Sequence, residues 1–334
     1  MRILRVGDLH VKPNNIEESE RLMQFILSKV LELKIDKVEF LGDQFDTHDV
    51  LRLSVIEFWD KWFTKLSKQD FKTVVLVGNH DLSGDYHNNF SSLHQFIHLE
   101  YGEMGILTNF KIVHEPYLDG IYGYLPYIHD NNKFVEEANK LAKQGATVIV
   151  SHPTFKGAVY DNGSPVAVGY VDPDLIIPSV RTLIGGHIHT ELEMGRVWYT
   201  GNPRWLTKSC ANKKKGIWLC EHNDETGAIE SKTFISTAEV CTPVYSLVWK
   251  EKEEKPNIPE NAKVYLELQG SSDWVNQQKK ELVGSVYISS KITDIKKSRE
   301  RKSGKSLEEF LSKHYQTDKR EKLISYMKGL ELLG

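Results

Sequence analysis

The fold of this chain is constrained most by five short apolar segments. Each is followed at once by residues that can bind metal ions. Segments 2–6, 37–41, 73–77, 147–150 and 181–184 have the length and composition of buried parallel strands. The polar residues that follow them are Asp8 and His10, Asp43, Asn79, His152, and His187 with His189. Parallel strands place their carboxyl ends at one edge of a sheet, so we expect these side chains to converge there. The sequence therefore predicts an α/β fold with a metal centre at that edge.

The spacing inside each motif has a physical reason. In Asp8-x-His10 a period of two puts both side chains on one side of an extended strand tip, and His187-x-His189 repeats this geometry. The glycines before the ligands let the backbone turn sharply and keep bulk away from an ion. A mixture of carboxylate, amide and imidazole ligands suits Mn²⁺, Fe²⁺ or Zn²⁺ better than Ca²⁺. A single motif of this kind is often only a cap or a turn, but five in series are hard to reach by accident.

Composition excludes few classes of function. The chain has 334 residues, of which 40% are hydrophobic and 27% charged, as in a soluble globular protein with a large core and one or two added modules. No segment approaches the ~20 apolar residues of a membrane span, and we expect no signal peptide and no membrane partner. Three cysteines without metal-ligand spacing fit a reducing cytoplasm, or a host cytoplasm if the chain is phage-encoded. With a net charge of −3, any nucleic-acid footprint must be local.

The series of motifs resembles the calcineurin-like metallophosphoesterases over about the first two thirds of the chain. It is most similar to the SbcD-type DNA-repair nucleases, which include phage and bacterial recombination endonuclease subunits. This closer similarity lies in Gly42-Asp43-Gln44-Phe45-Asp46, Gly78-Asn79-His80-Asp81-Leu82 and Tyr199-Thr200-Gly201-Asn202-Pro203. The resemblance implies a four-layer α/β/β/α metallophosphoesterase sandwich, with a small α+β capping module and a C-terminal helical tail.

The same resemblance implies two divalent ions that share Asp43. The first ion takes Asp8, His10 and His189, and the second takes Asn79, His152 and His187. Manganese is the expected ion, with magnesium or iron(II) as alternatives. His80 has no ligand role in this scheme and is the expected general acid, oriented by Asp46 or another carboxylate. Asp46 itself is either a ligand or, as we expect, an acceptor for an imidazole.

We predict four parts along the chain. Residues 1–236 form the nuclease domain, and residues 237–293 form a β-β-α-β module that by resemblance caps the cleft and presents DNA. Residues 294–305 are a basic linker, and residues 306–334 carry two short amphipathic helices. These helices cannot bury much on themselves, so they either fold back on the core or dock on a partner. The resemblance favours a partner, an SbcC-like SMC/ABC ATPase.

Two further surfaces are expected to bind partners. The helix predicted in the 50–66 region has apolar residues around most of its circumference, which indicates either burial between the sheet and loops or a homodimer contact, and we favour the dimer. A basic segment after the double-histidine motif is the candidate DNA-backbone contact, although such a run is often only a solvated surface. Its members are Arg204, Lys208, Lys213, Lys214 and Lys215.

The function implied by the resemblance is a two-metal DNA nuclease, acting as an exonuclease on duplex ends and an endonuclease on single strands. It would be the catalytic subunit of an SbcC/SbcD-like complex in DNA repair, recombination and replication. The alternatives are a small-substrate phosphatase or cyclic-nucleotide diesterase, and a catalytically silent scaffold. The full ligand set argues against a scaffold. Protein phosphatases of the superfamily usually carry Gly-Asp-x-Val-Asp-Arg and Gly-Asn-His-Glu, whereas this chain has Gly42-Asp43-Gln44-Phe45-Asp46-Thr47 and Gly78-Asn79-His80-Asp81, which favours the nuclease branch.

Overall fold

The structure is a computed structural model that describes residues 1–84, 90–102, 107–282 and 286–293. These residues form two compact units. The first contains residues 1–246 and 257–265, and the second contains residues 247–256 and the described residues from 266 onward. The ligand-bearing strand ends all belong to the first unit. Among the described residues, no helix combines the length and apolar character needed to cross a membrane.

The first sheet of this unit carries three of the predicted ligand strands. Four of its strands come early in the chain: β1 (Arg2–Val6), β2 (Lys37–Phe40), β3 (Lys72–Leu76) and β4 (Phe110–Val113). They pair in parallel in sequence order, because helices α1 (Ile16–Glu32) and α2 (Leu53–Ser67) return the chain between strands. The carboxyl ends of β1, β2 and β3 therefore lie side by side.

The second sheet carries the remaining ligand strands. Its members are β5 (Tyr117–Asp119), β6 (Tyr122–Tyr124), β7 (Val148–Ser151), β8 (Thr182–Gly185), β9 (Leu192–Met194) and β10 (Val197–Tyr199), in the order β5-β6-β7-β8-β10-β9. Strands β6, β7, β8 and β10 are parallel, and helix α3 (Asn131–Lys143) connects β6 to β7. Strands β11 (Gly216–His222) and β12 (Ile229–Ser236) then return to the first sheet, where β11 pairs antiparallel with β1.

Three apolar layers hold the two sheets and the helices together. The innermost lies between the sheets and includes Leu41, Val74, Val148 and Ile184. A second covers the outer face of the first sheet with side chains of α1 and α2, and a third covers the outer face of the second sheet with α3. The predicted four-layer α/β/β/α sandwich is therefore confirmed. Apolar residues on both faces of each parallel strand explain why these strands read as continuous hydrophobic segments.

A charged network is buried between the sheets, at positions that the apolar pattern does not reveal. Nε of Arg5 lies 2.9 Å from Glu39 Oε2 in an ion pair, and both side chains are fully buried. The Tyr124 hydroxyl donates to Glu39 Oε1 at 2.6 Å, and Lys37 donates to Tyr124 at 3.1 Å. Buried charges require such partners, because an unpaired charge in this layer would lose its hydration without replacement.

The second unit is built on a three-stranded sheet of order β13-β14-β15. Its elements are β13 (Val244–Lys250), β14 (Lys263–Gly270), helix α4 (Ser272–Glu281) and β15 (Val286–Ile292), of which β13 and β14 begin within the first unit. Trp249 and Trp274 meet edge to face at 5.2 Å, and Ser271 caps α4 by accepting the N–H of Trp274. The predicted linker 294–305 and tail 306–334 lie outside the described residues, and the predicted domain boundaries stay a prediction.

Candidate metal centre

The structure brings all seven predicted ligands to one edge of the sandwich. Each follows the carboxyl end of a parallel strand: Asp8 and His10 follow β1, Asp43 follows β2, Asn79 follows β3, His152 follows β7, and His187 and His189 follow β8. Within this cluster, three sets of side chains each place one ligand atom per residue within 4.8 Å of the others. The sets are Asp8, His10 and His189; His10, Asp43 and His80; and Asp43, His152 and His187.

The first group is arranged around two imidazole nitrogens. Nε2 of His10 lies 3.1 Å from Nε2 of His189, and Nε2 of His189 lies 3.4 Å from Asp8 Oδ2. Nε2 of His10 also lies 3.6 Å from Asp43 Oδ2. Two ring nitrogens and two carboxylates that face one point form the donor set of a divalent transition-metal ion.

The second group shares the Asp43 carboxylate. Nε2 of His152 lies 3.2 Å from Asp43 Oδ2 and 3.2 Å from Asn79 Oδ1, and Nδ1 of His187 lies 2.9 Å from the same Asn79 oxygen. His152 donates from Nδ1 to the carbonyl of Leu41 at 2.6 Å. This hydrogen bond fixes the ring with Nε2 directed at Asp43, the orientation that a histidine ligand requires.

In the metal-free chain, burial and the carboxylates of Asp8 and Asp43 give the candidate ligand histidines very different pKa values. Burial lowers the pKa of His10 to about 4, and burial together with His152 lowers the pKa of His187 to about 4. Burial also disfavours the charged form of His152, but the nearby Asp43 and Asp8 carboxylates outweigh it and raise the pKa to about 10. At neutral pH two of these rings are therefore neutral, and His152 must lose a proton before it can bind an ion.

The backbone at the site adopts conformations that side chains other than glycine rarely adopt. His10, Asp43 and His187 have φ values of +46°, +52° and +75°. Such strain persists only where the surroundings enforce it, and it collects at functional sites. Gly42 has φ of +107°, and a methyl group there would lie 2.3 Å from His152 Nδ1. A methyl group at Gly78 would lie 2.2 Å from Asp43 Oδ1, so both glycines are needed for the close approach of the ligands.

Asp81 connects the loop that carries Asp43 to the loop that carries Asn79. Its carboxylate is fully buried and accepts the N–H of Phe45 at 3.0 Å and the N–H of Gly78 at 2.9 Å. Burial, with a smaller contribution from Asp43, raises the pKa of Asp81 to about 7, while the backbone donors oppose this rise. The residue therefore holds the Asp43 loop and the Asn79 loop in fixed relative positions.

Comparison with known proteins agrees with this geometry. The sequence model of the calcineurin-like phosphoesterase family matches residues 1–191, more than half of the chain. The chain belongs to the calcineurin-like phosphoesterases. It is also 25% identical to the DNA double-strand break repair protein Mre11 of Nanoarchaeum equitans, in an alignment covering 94% of this chain and 90% of that protein.

A solved structure, GAP50, the anchor in the inner membrane complex of Plasmodium, is 13% identical with a TM-score of 0.38, covering 71% of this chain and 88% of that chain. The predicted membership of the calcineurin-like metallophosphoesterases is confirmed, and the similarity to Mre11 is consistent with the SbcD-type resemblance. Members of this family use divalent metal ions, and the donor set described above fits them. The choice of manganese stays a prediction.

His80 lies beside both ligand groups of this calcineurin-like phosphoesterase, but its orientation differs from the one we expected. Its backbone N–H donates to Asp43 Oδ1 at 2.8 Å, and its ring meets the His10 ring edge to face at 4.7 Å. Nδ1 of His80 lies 2.8 Å from the main-chain oxygen of Asp46, not from its carboxylate. That carboxylate binds Lys12 at 3.1 Å and lies 3.7 Å from His10 Nδ1. Asp46 therefore orients His80 through its backbone, and its side chain contacts His10.

The five candidate DNA contacts fall into two groups. Arg204 is only 1% exposed and binds Glu18 at 2.7 Å and the Leu9 carbonyl at 3.1 Å, inside the chain. Lys215 is also buried, and its ammonium donates to Asn202 and to the His189 carbonyl. Lys208 and Lys214 are exposed, and Lys213 is half-buried. The Lys213 ammonium donates to Asp161 and to Thr190 Oγ1. The DNA contacts stay a prediction.

Two residues at the site were not singled out in the sequence. Asp161 lies in a Gly-rich loop that we expect to line the cleft, and its carboxylate accepts from Cys210 Sγ at 2.9 Å and Lys213 Nζ at 3.3 Å, beside His189. Tyr127 follows β6, and its ring centroid lies 6.4 Å from those of both His152 and His187. Its position after a strand end, like that of the ligands, is the signal that could have identified it.

Proposed function

We propose that this calcineurin-like phosphoesterase is a DNA nuclease that hydrolyses phosphodiester bonds with two divalent ions. The observation that carries the proposal is the convergence of seven candidate ligands in two groups that share Asp43, beside a histidine outside the ligand set. Similarity to an Mre11 protein over 94% of the chain supports DNA as the substrate. We further propose exonuclease action on duplex ends and endonuclease action on single strands.

Each ligand group would hold one ion, and Asp43 belongs to both groups. Bound divalent ions would lower the pKa of a water molecule and offset the negative charge of the phosphate oxygens. In the second ligand group, His152 and His187 each direct one ring nitrogen toward Asn79 Oδ1. The carbonyl of Leu41 holds the His152 ring in this orientation. The buried Asp8 and Asp43 carboxylates balance the positive charge. Substitution of any of these side chains should therefore weaken metal binding, and any loss of the cleavage rate should follow from the loss of metal.

His80 is proposed as the general acid. Its Nδ1–H donates to the Asp46 carbonyl, so in the protonated ring Nε2 carries the second proton. That proton can pass to the oxygen that leaves when the phosphodiester bond breaks. The Asp46 carboxylate, which pairs with Lys12 and lies near His10, positions the first ligand group and does not take up the proton.

Lys208 and Lys214 are proposed to contact the DNA backbone, because both are exposed. Between them in sequence, the Lys213 ammonium donates to Asp161 and Thr190 and is not proposed to reach DNA. Because Asp161 lies beside His189, this contact places the basic segment next to the first ligand group. Cations at this position would draw a phosphate backbone toward the ligand cluster, with an affinity that falls as salt concentration rises. Arg204 and Lys215 are buried and form no part of this proposed surface.

We also propose a homodimer through the region of residues 50–66. Most apolar side chains of α2 are buried in the core of their own chain, so this contact rests on a smaller set. Val50 is 48% exposed, Leu51 41% and Leu53 83%. Three neighbouring apolar side chains this exposed indicate a surface that a second copy could cover.

The remaining proposals concern assembly and location. Residues 237–293 are proposed to cap the nuclease cleft, and residues 306–334 to bind an SbcC-like SMC/ABC ATPase. The complex would act in DNA repair, recombination or replication in the cytoplasm, or in a host cytoplasm. An assembly assay with such an ATPase, using the full chain and a chain that ends at residue 305, tests the role of the tail.

The decisive experiment compares three substrates in Mn²⁺: labelled linear duplex DNA, a single-stranded DNA circle and p-nitrophenyl phosphate. The proposal expects cleavage of the two DNA substrates, with loss of cleavage in EDTA. Each substrate is measured with and without a candidate ATPase. Turnover of p-nitrophenyl phosphate alone would favour a small-substrate phosphoesterase instead. Asp43→Asn is the matched negative control, because it removes the ligand that both groups share.

A further inference from the structure

A pocket of about 550 Å³ lies next to the second ligand group. Tyr127 connects the two sites, because it lines the pocket and its ring lies 6.4 Å from the rings of His152 and His187. Besides Tyr127, the polar side chains that line the pocket are those of His114, Glu115, His129, Asp130, Lys133 and Glu137.

The backbone holds Tyr127 in a fixed position relative to the ligands. Its N–H donates to the carbonyl of Val77 at 2.8 Å, and the N–H of Leu125 donates to the carbonyl of Val150 at 2.9 Å. Val77 lies two residues before Asn79, and Val150 lies two residues before His152. The backbone that carries Tyr127 is therefore tied to two of the strand ends that carry ligands, and the side chain packs against the apolar core of the first sheet. A ring placed in this way can serve as a stacking surface beside the ligands.

The charges of the pocket disfavour a second phosphate. Three carboxylates line it, those of Glu115, Asp130 and Glu137, against the single ammonium of Lys133. Lys140, which is not part of the lining, pairs with Glu137 at 2.9 Å. Carboxylates accept hydrogen bonds from amino and hydroxyl groups and repel phosphate oxygens. The lining therefore suits the neutral, donor-bearing part of a nucleotide, with an aromatic face provided by Tyr127.

We propose that this pocket binds the nucleoside next to the scissile phosphate, with its base stacked on Tyr127. The inference rests on the proposed nuclease function and names the part of the substrate that the chain recognises beside the metal centre. Its carboxylates favour bases that carry an amino group over thymine, which has none. A base can enter only when it is not paired, so an unpaired nucleotide is the preferred substrate at this position.

Binding of small nucleotides tests the proposal without requiring DNA cleavage. Titration calorimetry in Mn²⁺ would compare deoxyadenosine monophosphate with deoxyribose 5-phosphate, which lacks the base. The wild-type protein should bind the nucleotide at least about tenfold more tightly, as base stacking on an aromatic ring would give. Tyr127→Ala should abolish this difference and leave the affinity for deoxyribose 5-phosphate within about twofold, and Tyr127→Phe should retain it. Tyr101→Ala is the matched control, since Tyr101 is exposed and does not line the pocket.

A second variant tests the carboxylates at an exposed position. Glu115→Gln should reduce the preference for deoxyadenosine monophosphate over thymidine monophosphate, and it removes no buried group. Equal wild-type affinity for the nucleotide and the sugar phosphate would overturn the proposal. Equal weakening of both ligands by Tyr127→Ala would also overturn it, because the ring would then act on the metal centre.

The nuclease proposal is tested separately with single-stranded DNA and the same protein. If Tyr127-dependent nucleotide binding were found without any DNA cleavage, the pocket would stand and the nuclease proposal would fail. If DNA were cleaved but the base made no difference to binding, the nuclease proposal would stand and the pocket would not.

Discussion

The carboxylate of Asp161 lies 3.8 Å from Nδ1 of His189, on the opposite side of the ring from the Nε2 that faces Asp8. This distance is that of a charge pair and exceeds a hydrogen bond. The same carboxylate accepts from the Cys210 thiol, and Lys213 and Lys215 lie near it. Asp161 therefore favours a ring orientation with Nδ1 protonated and with Nε2 available to an ion.

We predict that Asp161→Asn weakens Mn²⁺ binding by about tenfold, because carboxylates behind a histidine ligand typically contribute this much. Titration calorimetry with Mn²⁺ measures the change. Asp172→Asn is the matched control, since Asp172 lies in a nearby loop and pairs only with the exposed Lys156 and the backbone of Asp174 among the contacts described. An unchanged affinity in Asp161→Asn would show that the His189 ring does not depend on this carboxylate.

His80→Asn is expected to retain both metal ions and to lower the rate of phosphodiester cleavage by at least ~10²-fold. Asparagine keeps the backbone N–H that binds Asp43 but has no ring proton to transfer. Measurement of kcat at saturating Mn²⁺, together with the metal content, separates chemistry from binding. His98→Asn, at an exposed histidine away from the ligands, serves as the control. Normal cleavage by His80→Asn would rule out the general-acid assignment.

Gly42→Ala should be more destabilising than Gly163→Ala. Both glycines have positive φ, so alanine costs about 1 kcal/mol of backbone energy at either position. At Gly42 the new methyl group would also lie 2.3 Å from His152, whereas nothing lies within 4 Å at Gly163. The forced overlap should lower the free energy of unfolding by a further ~1–3 kcal/mol. Urea denaturation measures both variants, and equal stabilities would contradict the packing described at Gly42.

The stability of the metal-free chain should depend on pH through His222. Burial, together with Arg5, lowers the pKa of His222 to about 4, below the ~6.5 of an unfolded histidine. Between these values the unfolded chain binds more protons, so the free energy of unfolding falls as pH drops from about 6.5 to 4. His222→Gln should reduce this slope by about 1 kcal/mol per pH unit, measured by urea denaturation in EDTA. A slope identical to that of wild type would exclude His222 as its source.

Arg204→Ala should lower stability, whereas Lys214→Ala should weaken DNA binding. Arg204 is buried against Glu18 and Ser19, so its loss should lower the free energy of unfolding by about 3 kcal/mol. Lys214 is exposed, so its loss should leave the free energy of unfolding unchanged and weaken DNA binding. The slope of the logarithm of the binding constant against the logarithm of the salt concentration should fall by about one, as expected for one lost phosphate contact. Denaturation and DNA titrations at several salt concentrations test this. Unchanged DNA binding in Lys214→Ala would remove this lysine from the proposed interface.

Much of the fold was predictable because its signals are local. The strands predicted at 2–6, 37–41, 73–77, 147–150 and 181–184 are observed as β1, β2, β3, β7 and β8, each within one residue of the predicted bounds. The helix expected to begin at Val50 begins at Leu53, which leaves Val50 and Leu51 exposed before its first turn. The pairing of Arg5 with Glu39 could not be predicted in this way, because the two residues meet only when β1 and β2 pair and the second sheet covers them.

The same distinction between local signals and tertiary contacts applies to the candidate metal centre. The sequence by itself predicted which side chains would converge, because each stands directly after an apolar parallel strand. Only the tertiary structure decided that these strands belong to two sheets, whose carboxyl ends meet at one edge of the sandwich. The tertiary structure also decided that Arg204 points inward, that Asp46 holds His80 through its carbonyl, and that Asp161 and Tyr127 join the site. The physical reason is that orientation depends on partners from distant segments, and no local pattern encodes which of those partners a side chain will contact.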